Sequence, residues 1–116
     1  MKENVVKEKS FAFAVRVVNL YRHSTEQRKE FVLSKQVLRS GTSIGANVEE
    51  AIGGQSRADF VSKLSIAYKE ARETSYWLRL LRETKYLDES EAASILNDLD
   101  EILRIIASIL ISSKNS

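Results

Sequence analysis

The sequence predicts an all-α protein folded as an antiparallel up-down-up-down four-helix bundle. Its 116 residues contain no proline, the residue that most reliably breaks a helix, and the four glycines all lie within positions 41–54. Four segments repeat apolar residues at alternating three- and four-residue spacing, which is the period of an amphipathic helix. Because short connectors join these segments, we expect consecutive helices to run antiparallel and to form a single domain over residues 1–116.

The first helix is predicted over Val5–Arg22 and is expected to end at His23. Ser24 is the expected N-cap of the second helix, because its hydroxyl can accept a hydrogen bond from a free backbone N–H group. Gln27 follows three residues later, as in a capping box. The main apolar stripe of the first helix comprises Phe11, Val15 and Val18, and is widened by Phe13, Val17 and Leu20.

The second helix is predicted over Thr25–Ile52 and carries two stripes, so two of its faces are expected to need partners. A helix of this kind lies at the centre of its bundle or also faces another subunit. Gly53 and Gly54 are expected to end it, since glycine most readily adopts the left-handed conformation found after a helix. The stripes are Phe31, Ser34, Leu38, Gly41, Gly45, Val48 and Ile52, and Leu33, Val37, Ser40, Ile44, Asn47 and Ala51.

The third helix is predicted to begin after the N-cap Ser56 and to run to about Thr84. Its main stripe comprises Phe60, Leu64, Ala67, Ala71, Thr74, Leu78 and Leu81. Other apolar residues lie off this stripe and indicate a second contact surface, namely Tyr76, Trp77 and Leu80.

The fourth helix is predicted over Glu89–Ser112 and is followed by a frayed tail at Ser113–Ser116. Asp88 and Glu91 resemble a capping box in which Asp replaces Ser or Thr. The main stripe comprises Ala92, Ile95, Leu99, Ile102, Ile106 and Ile109, with a second row of Leu96, Leu103 and Leu110.

The residue types argue against an enzyme. The chain has no cysteine, and its one histidine, His23, lies at a predicted helix break. A di-iron bundle needs Glu-x-x-His pairs, which do not occur. Glu49 and Glu50 are adjacent and point about 100° apart on a helix, so they do not form a facing acid–base pair. We therefore expect no catalytic residues, no metal and no cofactor.

The composition is that of an ordinary globular protein, with 43% hydrophobic and 29% charged residues. No stretch is apolar for long enough to span a bilayer, and the N-terminus lacks the apolar core of a secretory signal. The protein is expected to be cytoplasmic, without a membrane partner.

The segment LRSGTSIGANVEEAIGG is helical in register but holds small or polar residues where a bundle helix normally has Leu or Ile. Gly41 and Gly45 form G-x-x-x-G, which in this setting indicates close packing of helices, or of whole copies of the molecule. The residues expected to form this packing or interface motif are Ser40, Gly41, Ser43, Ile44, Gly45, Asn47, Glu50, Phe60 and Leu64.

Ser40 and Asn47 are polar residues one heptad apart on an otherwise apolar stripe. We interpret them as core polar groups with satisfied hydrogen bonds that fix the helix register. The alternative is that Asn47, with Arg39, Glu49 or Glu50, lines a subunit contact or a ligand groove.

Charge is unevenly distributed along the chain. Residues 1–40 carry a net charge of +5, residues 41–86 carry +1 and residues 87–116 carry −4. A basic first part can indicate a nucleic-acid surface. The simpler interpretation is solvated helix faces, or pairing of the acidic helix with basic neighbours within the chain or between copies.

Candidate phosphate-binding residues occur on the first three predicted helices. Glu70, Glu73 and Glu83 interrupt the set on the third helix, and stacking aromatics are not expected among its cations. The candidates are Arg16, Arg22, Arg28, Lys29, Lys35, Arg39, Lys63, Lys69, Arg72, Arg79 and Arg82.

The segment from residue 38 to residue 78 resembles the small bacterial four-helix proteins of the 23S ribosomal RNA intervening-sequence family. In that family an Arg-Ser or Arg-Arg pair leads into Ser-Ile-x-x-Asn-Ile-x-Glu-Gly, and a later helix opens with Phe-x-x-x-Leu-x-Ile-Ala. Ala51 and Tyr68 stand where the family often has glycine. The matching residues are Arg39, Ser40, Ser43, Ile44, Asn47, Val48, Glu50, Phe60, Leu64, Ile66, Ala67 and Glu73.

The resemblance implies a four-helix bundle that assembles into a ring, typically a pentamer. A related accessory protein of diversity-generating retroelements is similar in fold and binds nucleic acid and a reverse transcriptase. The family name records genes found within ribosomal RNA insertions.

Taken with the basic first half, the resemblance leads to the hypothesis of a non-enzymatic, homo-oligomeric accessory protein associated with RNA or DNA. The alternative is a scaffold that holds a protein partner without binding nucleic acid. A third hypothesis is a small-molecule sensor with a groove near Asn47 and Glu50.

Overall fold

The computed structural model describes residues 1–114 and contains four α-helices that pack as an antiparallel bundle. Helix α1 spans Lys2–Gln27, α2 spans Val32–Ile52, α3 spans Arg57–Glu83 and α4 spans Glu89–Lys114. Each helix contacts the next, and α4 closes the bundle against α1. The predicted all-α four-helix bundle is confirmed. In the predicted frayed tail, residues 113 and 114 are helical, and residues 115 and 116 lie outside the described residues.

The predicted break at His23 is wrong, because α1 continues to Gln27. Ser24 is not an N-cap. It is buried in the last turn of α1, where its carbonyl accepts bonds from the N–H groups of Arg28 and Glu30 at 3.2 and 3.1 Å. Neither proline nor glycine occurs here to stop the helix. The reversal instead uses Lys29, whose φ of 57° lies in the left-handed region.

Helix α2 is capped by a glutamate that was not identified from the sequence. The buried carboxylate of Glu30 accepts hydrogen bonds from the N–H groups of Val32 and Leu33 at 3.2 Å and of Ser34 at 2.6 Å. It also accepts from the Ser34 hydroxyl at 2.8 Å. Burial alone would raise the pKa of Glu30, but the bonds from Ser34, Leu33 and Val32 outweigh it and lower that pKa.

The later junctions agree with most of the predictions. Ser56 caps α3 by accepting from the N–H of Asp59 at 3.0 Å, and Asp88 accepts from the N–H of Glu91 at 2.8 Å before α4. Gly53 does not adopt the predicted left-handed conformation, since its φ is −82°. At Gly54 a Cβ would be crowded, since it would lie 3.0 Å from the backbone carbonyl oxygen of Ala51 and 2.8 Å from Asp59 Oδ2 at the end of a movable side chain.

Helix α1 turns a different face to the core from the one predicted. Phe13 and Val17 are buried, whereas Phe11 and Val15 are 67% and 47% exposed. The two apolar sets lie on opposite sides of this helix, since positions two residues apart are separated by about 200°, and contact with α2 selects between them. The main stripes predicted for α3 and α4 are buried apart from Phe60, which is half-buried.

Helices α1 and α2 approach each other closely at the two glycines of the G-x-x-x-G sequence. A Cβ on Gly41 would lie 2.8 Å from Val17 Cγ2, and a Cβ on Gly45 would lie 3.3 Å from the backbone carbonyl oxygen of Ser10. A Cβ at Gly41 would therefore displace the Val17 side chain, and a Cβ at Gly45 would require the α1 backbone to shift by a few tenths of an ångström. The predicted role of these glycines in helix packing is confirmed within the chain.

A buried hydroxyl pair joins α2 to α3. The Thr74 hydroxyl donates to Ser40 Oγ at 2.8 Å, and Ser40 donates to the carbonyl of Gln36 at 2.9 Å. Asn47 is half-buried and donates to the carbonyl of Ser43 in its own helix at 2.9 Å. These polar groups are satisfied inside the bundle, as the structural interpretation of the sequence predicted.

We predict that Gly41→Ala and Val17→Ala are strongly coupled. The new methyl group collides with the stiff, buried Val17 side chain, at a cost of about 1–3 kcal/mol that exceeds or cancels the roughly 1 kcal/mol gain in helix propensity. In a Val17→Ala background the collision disappears. The free energies of unfolding in urea should therefore depart from additivity by about 1–2 kcal/mol. Gly53→Ala is the control, since its Cβ would meet only the Glu49 carbonyl at 3.6 Å. Additive effects would contradict this packing.

We predict that Glu30→Ala lowers the free energy of unfolding at neutral pH by about 2 kcal/mol, because several N–H groups lose their acceptor. The exposed Glu26 provides the control, since Glu26→Ala should change stability by less than about 0.5 kcal/mol.

The Glu30 cap should also depend on pH. Its folded-state pKa is below the ordinary value of 4.5, so its contribution is complete above that value and is lost as the pH falls through the folded-state pKa. The stability difference between the wild type and Glu30→Gln, measured by urea unfolding, should shrink on acidification below about pH 4. A difference that grows in acid would show that the carboxylate does not cap the helix.

Candidate nucleic-acid interface

Cations on α1 and at its C-cap are paired with acidic residues on α4, in what we call the α1–α4 charge ladder. The ladder consists of Lys9 with Glu101 at 3.0 Å, Arg16 with Asp98 at 2.6 Å, and Arg28 with Glu91 at 2.5 Å. The descending partner numbers reflect the antiparallel run of the two helices. Pairing of the acidic helix with a basic neighbour within the chain is thus confirmed, and it engages the candidates Arg16 and Arg28.

Two further candidates, Arg39 and Lys63, lie in ion pairs between α2 and α3. Arg39 contacts Glu70 at 3.3 Å and also contacts Glu73, while Lys63 lies 3.2 Å from Glu50. Four of the eleven candidate cations are therefore paired with carboxylates of the same chain. Such pairs compete with phosphate for these cations.

Glu73 is the centre of a network that also includes an aromatic residue. Its carboxylate accepts from the indole N–H of Trp77 at 3.0 Å and pairs with Arg39. The bond from Trp77 lowers the pKa of the Glu73 carboxyl, burial opposes this shift, and Arg39 lowers the pKa further. In turn, the hydrogen bond to Glu73 raises the pKa of the Arg39 guanidinium. Both groups remain charged near neutral pH.

The outward face of α3 carries cations that are not held in ion pairs. Lys69, Arg72 and Arg79 are exposed, and among residues 1–114 none of the three makes an ion pair with a carboxylate. Together with Ser65 and Tyr76 they follow four-three-four-three spacing, which aligns them along one side of the helix.

These cations line a shallow surface groove between α3 and α4, here called the α3 groove. Glu73 is the one carboxylate among its lining residues, and it already holds Arg39 and Trp77. The lining residues are Ser65, Tyr68, Lys69, Arg72, Glu73, Ser75, Tyr76 and Arg79 of α3 and Leu103 of α4. The groove is therefore basic.

Contrary to the sequence prediction, aromatic residues are interleaved with the α3 cations. Tyr76 is 52% exposed and lies between Arg72 and Arg79 on the same face, and half-buried Tyr68 precedes Lys69. The helical spacing of residues 65, 69, 72, 76 and 79 was the signal that could have identified this face. The positions of the cations alone do not reveal this face.

The other candidate cations lie outside the α3 groove. Arg22 is exposed on α1, Lys29 is exposed in the α1–α2 turn, and Lys35 is exposed on α2. Arg82 is half-buried near the end of α3. The structure therefore brings three of the eleven predicted cations together in one groove and disperses these four.

The interface motif predicted from the sequence lies mostly inside the bundle. Ser40, Gly41, Ile44, Gly45 and Leu64 are buried, and Ser43 and Phe60 are half-buried. The Asn47 amide and the Glu50 carboxylate, proposed to line a ligand groove, already have partners in Ser43 and Lys63.

The stripe of α1 that the sequence predicted to face the core lies instead on the outside of the bundle. We call it the α1 apolar face, and it comprises the exposed residues Phe11, Val15 and Val18. These residues lie outside the core because Phe13 and Val17, on the opposite side of the helix, face inward. Large exposed apolar side chains grouped on one helix are typical of a contact surface.

Over the part of the chain that the structure describes, no helix is both long enough and apolar enough to cross a membrane.

The comparisons with known proteins agree with the fold. Residues 2–108 match the family described as 23S rRNA-intervening sequence protein. The chain is also similar to a crystal structure of a protein with unknown function from the S23 ribosomal protein family of Bacteroides thetaiotaomicron VPI-5482. The two share 59% sequence identity over 95% of this chain and 98% of the other, with a TM-score of 0.94. None of the curated proteins matches the sequence. With nearly its whole length matched and its four helices superposing on that structure, the chain belongs to the 23S rRNA-intervening sequence protein family.

Proposed function

We propose that this protein is a non-enzymatic accessory protein that associates with RNA or DNA as a homo-oligomer. The observation that carries the proposal is the α3 groove, where Lys69, Arg72 and Arg79 are exposed without ion pairs and lie beside Tyr76. Convergent cations supply the electrostatic part of nucleic-acid binding, and tyrosine adds a surface on which bases stack.

The distribution of ion pairs supports a localised binding surface. The α1–α4 charge ladder engages three of the nine lysines and arginines in residues 1–40. A phosphate at that position would have to compete with a carboxylate already in contact with each arginine. At the α3 groove it would meet cations that are solvated, so binding there costs less.

The α1 apolar face supports the homo-oligomeric part of the proposal. Burial of Phe11, Val15 and Val18 between copies would remove apolar surface from water. The family resemblance favours a ring of five copies. A ring would present several α3 grooves to one nucleic acid, and linked weak sites bind far more tightly than a single one.

A second candidate function is a protein-interaction scaffold that does not bind nucleic acid. It is favoured by Phe31 and Val32, which are 56% and 72% exposed at the end of the bundle where α2 begins. A partner protein would cover these two side chains, and the α3 cations would then serve only to keep the surface hydrated.

We predict that reversing charge in the α3 groove weakens RNA binding. The Arg72→Glu/Arg79→Glu variant should lower affinity for a fluorescent RNA at least about tenfold, and should reduce the slope of log K against log salt by about 2. Fluorescence anisotropy from 50 to 200 mM salt measures both quantities.

The matched control is Arg22→Glu/Lys35→Glu, which changes net charge equally on other exposed surfaces. Equal losses in both variants would show that net charge and not the groove matters. If the wild type binds neither RNA nor DNA at 50 mM salt, while it retains a specific protein partner after nuclease treatment, the scaffold function replaces the proposed one.

We predict that Phe11→Asp/Val15→Asp dissociates the oligomer, because two carboxylates at the centre of the α1 apolar face cannot be buried unpaired. Light scattering after size-exclusion chromatography should show the mass falling toward the 13.2 kDa of one chain. Ile111→Asp, at another exposed apolar residue, should leave the mass unchanged. A wild-type protein that is already monomeric would contradict this part of the proposal.

A further inference from the structure

We infer that the α3 groove binds a single strand, with an unpaired base stacked on Tyr76 and phosphates on Lys69, Arg72 and Arg79. This inference rests on the proposed nucleic-acid function and narrows its ligand to unpaired RNA or DNA.

Tyr76 has the surroundings of a supported stacking platform. Its ring meets Trp77 edge-on, with ring centroids 5.1 Å apart and an angle of 75° between the planes. The Trp77 indole donates to Glu73, which pairs with Arg39 on α2. A side chain supported by such a network loses little further freedom when a ligand binds. The exposed half of the Tyr76 ring can therefore stack against a base at low entropic cost.

Arg79 extends this platform. Its guanidinium carbon lies 6.0 Å from the centroid of the Tyr76 ring, and its Nε donates to the carbonyl of Ser75 at 3.3 Å. Guanidinium planes and aromatic rings both stack on unpaired bases. Arg79 therefore places a positive charge against the Tyr76 ring, beside the position of the phosphate that follows a stacked base.

The order of residues along α3 suits an extended strand. At about 1.5 Å per residue, Tyr76 lies about 6 Å along the axis from Arg72 and about 4.5 Å from Arg79. The cations from Lys69 to Arg79 cover about 15 Å in a straight row. Positive charge therefore lies on both sides of the stacking residue, as is found in proteins that bind single strands through alternating phosphate and base contacts.

A duplex could use only part of this surface. Its bases are already stacked inside the helix, so contact with Tyr76 would require one to be unstacked at a cost of a few kcal/mol. Duplex binding would then depend on the cations alone. The aromatic residue in the middle of the basic row therefore favours a strand whose bases are free.

The test compares a fluorescent 12-nucleotide oligo(A) with a blunt 12-base-pair RNA duplex by anisotropy at 50 mM salt. We expect the wild type to bind the single strand at least about tenfold more tightly. Tyr76→Leu, which keeps an apolar side chain but removes the stacking ring, should weaken single-strand binding about tenfold and leave duplex binding unchanged. Tyr76→Phe should retain the affinity of the wild type. Tyr86→Leu, at a tyrosine exposed in the α3–α4 turn, is the matched control.

The outcomes separate this inference from the proposed function. Equal affinity for both ligands with no effect of Tyr76→Leu would overturn the single-strand inference while leaving nucleic-acid binding in place. Loss of affinity for both ligands in Tyr76→Leu but not in Tyr76→Phe would also overturn it, because the ring would then serve the groove in general. Failure of the wild type to bind either ligand would remove the proposed function and the inference together.

Discussion

The close contact between α1 and α2 at Gly41 and Gly45 is the constraint on which the rest of the structure depends. Because these residues have no side chain, the backbone of α1 at Ser10 and the side chain of Val17 fit directly against α2. The contact fixes the rotation of α1 about its own axis. Phe13 and Val17 then point into the core, and Phe11 and Val15 are left outside.

The same rotation determines where charge is available. With α1 oriented in this way, Lys9, Arg16 and Arg28 face the acidic side of α4 and form the α1–α4 charge ladder. Three of the nine lysines and arginines in residues 1–40 are thus engaged in this ladder inside the protomer. The exposed cations of the α3 groove form no ion pair with its one carboxylate, Glu73, which is bonded to Arg39 and Trp77.

The sequence predicted those features that depend on local pattern. The main stripes of α3 and α4 keep a regular helical period, and Ser56 and Asp88 are standard N-cap residues, so their positions follow from period and residue type. The orientation of α1 did not follow, because its two apolar faces are equivalent in isolation and only contact with α2 distinguishes them.

The helix junctions and the α3 groove also could not be predicted from the local sequence pattern. A glutamate caps α2, with the longer reach of its side chain bridging three N–H groups, and lysines at positions 29 and 85 occupy the left-handed conformations expected of glycine. Which cations are free depends on partners far along the chain, as with Arg16 and Asp98. No reading of neighbouring residues can supply that information.

The central claim is that nucleic acid contacts the uncommitted cations and tyrosines of α3 and avoids the paired cations of α1. Ultraviolet cross-linking of the protein to RNA, followed by mass spectrometry of the attached peptides, tests this claim most directly. We expect cross-links within residues 65–79, concentrated at Tyr76. Cross-links concentrated on α1, or spread evenly over all four helices, would contradict it.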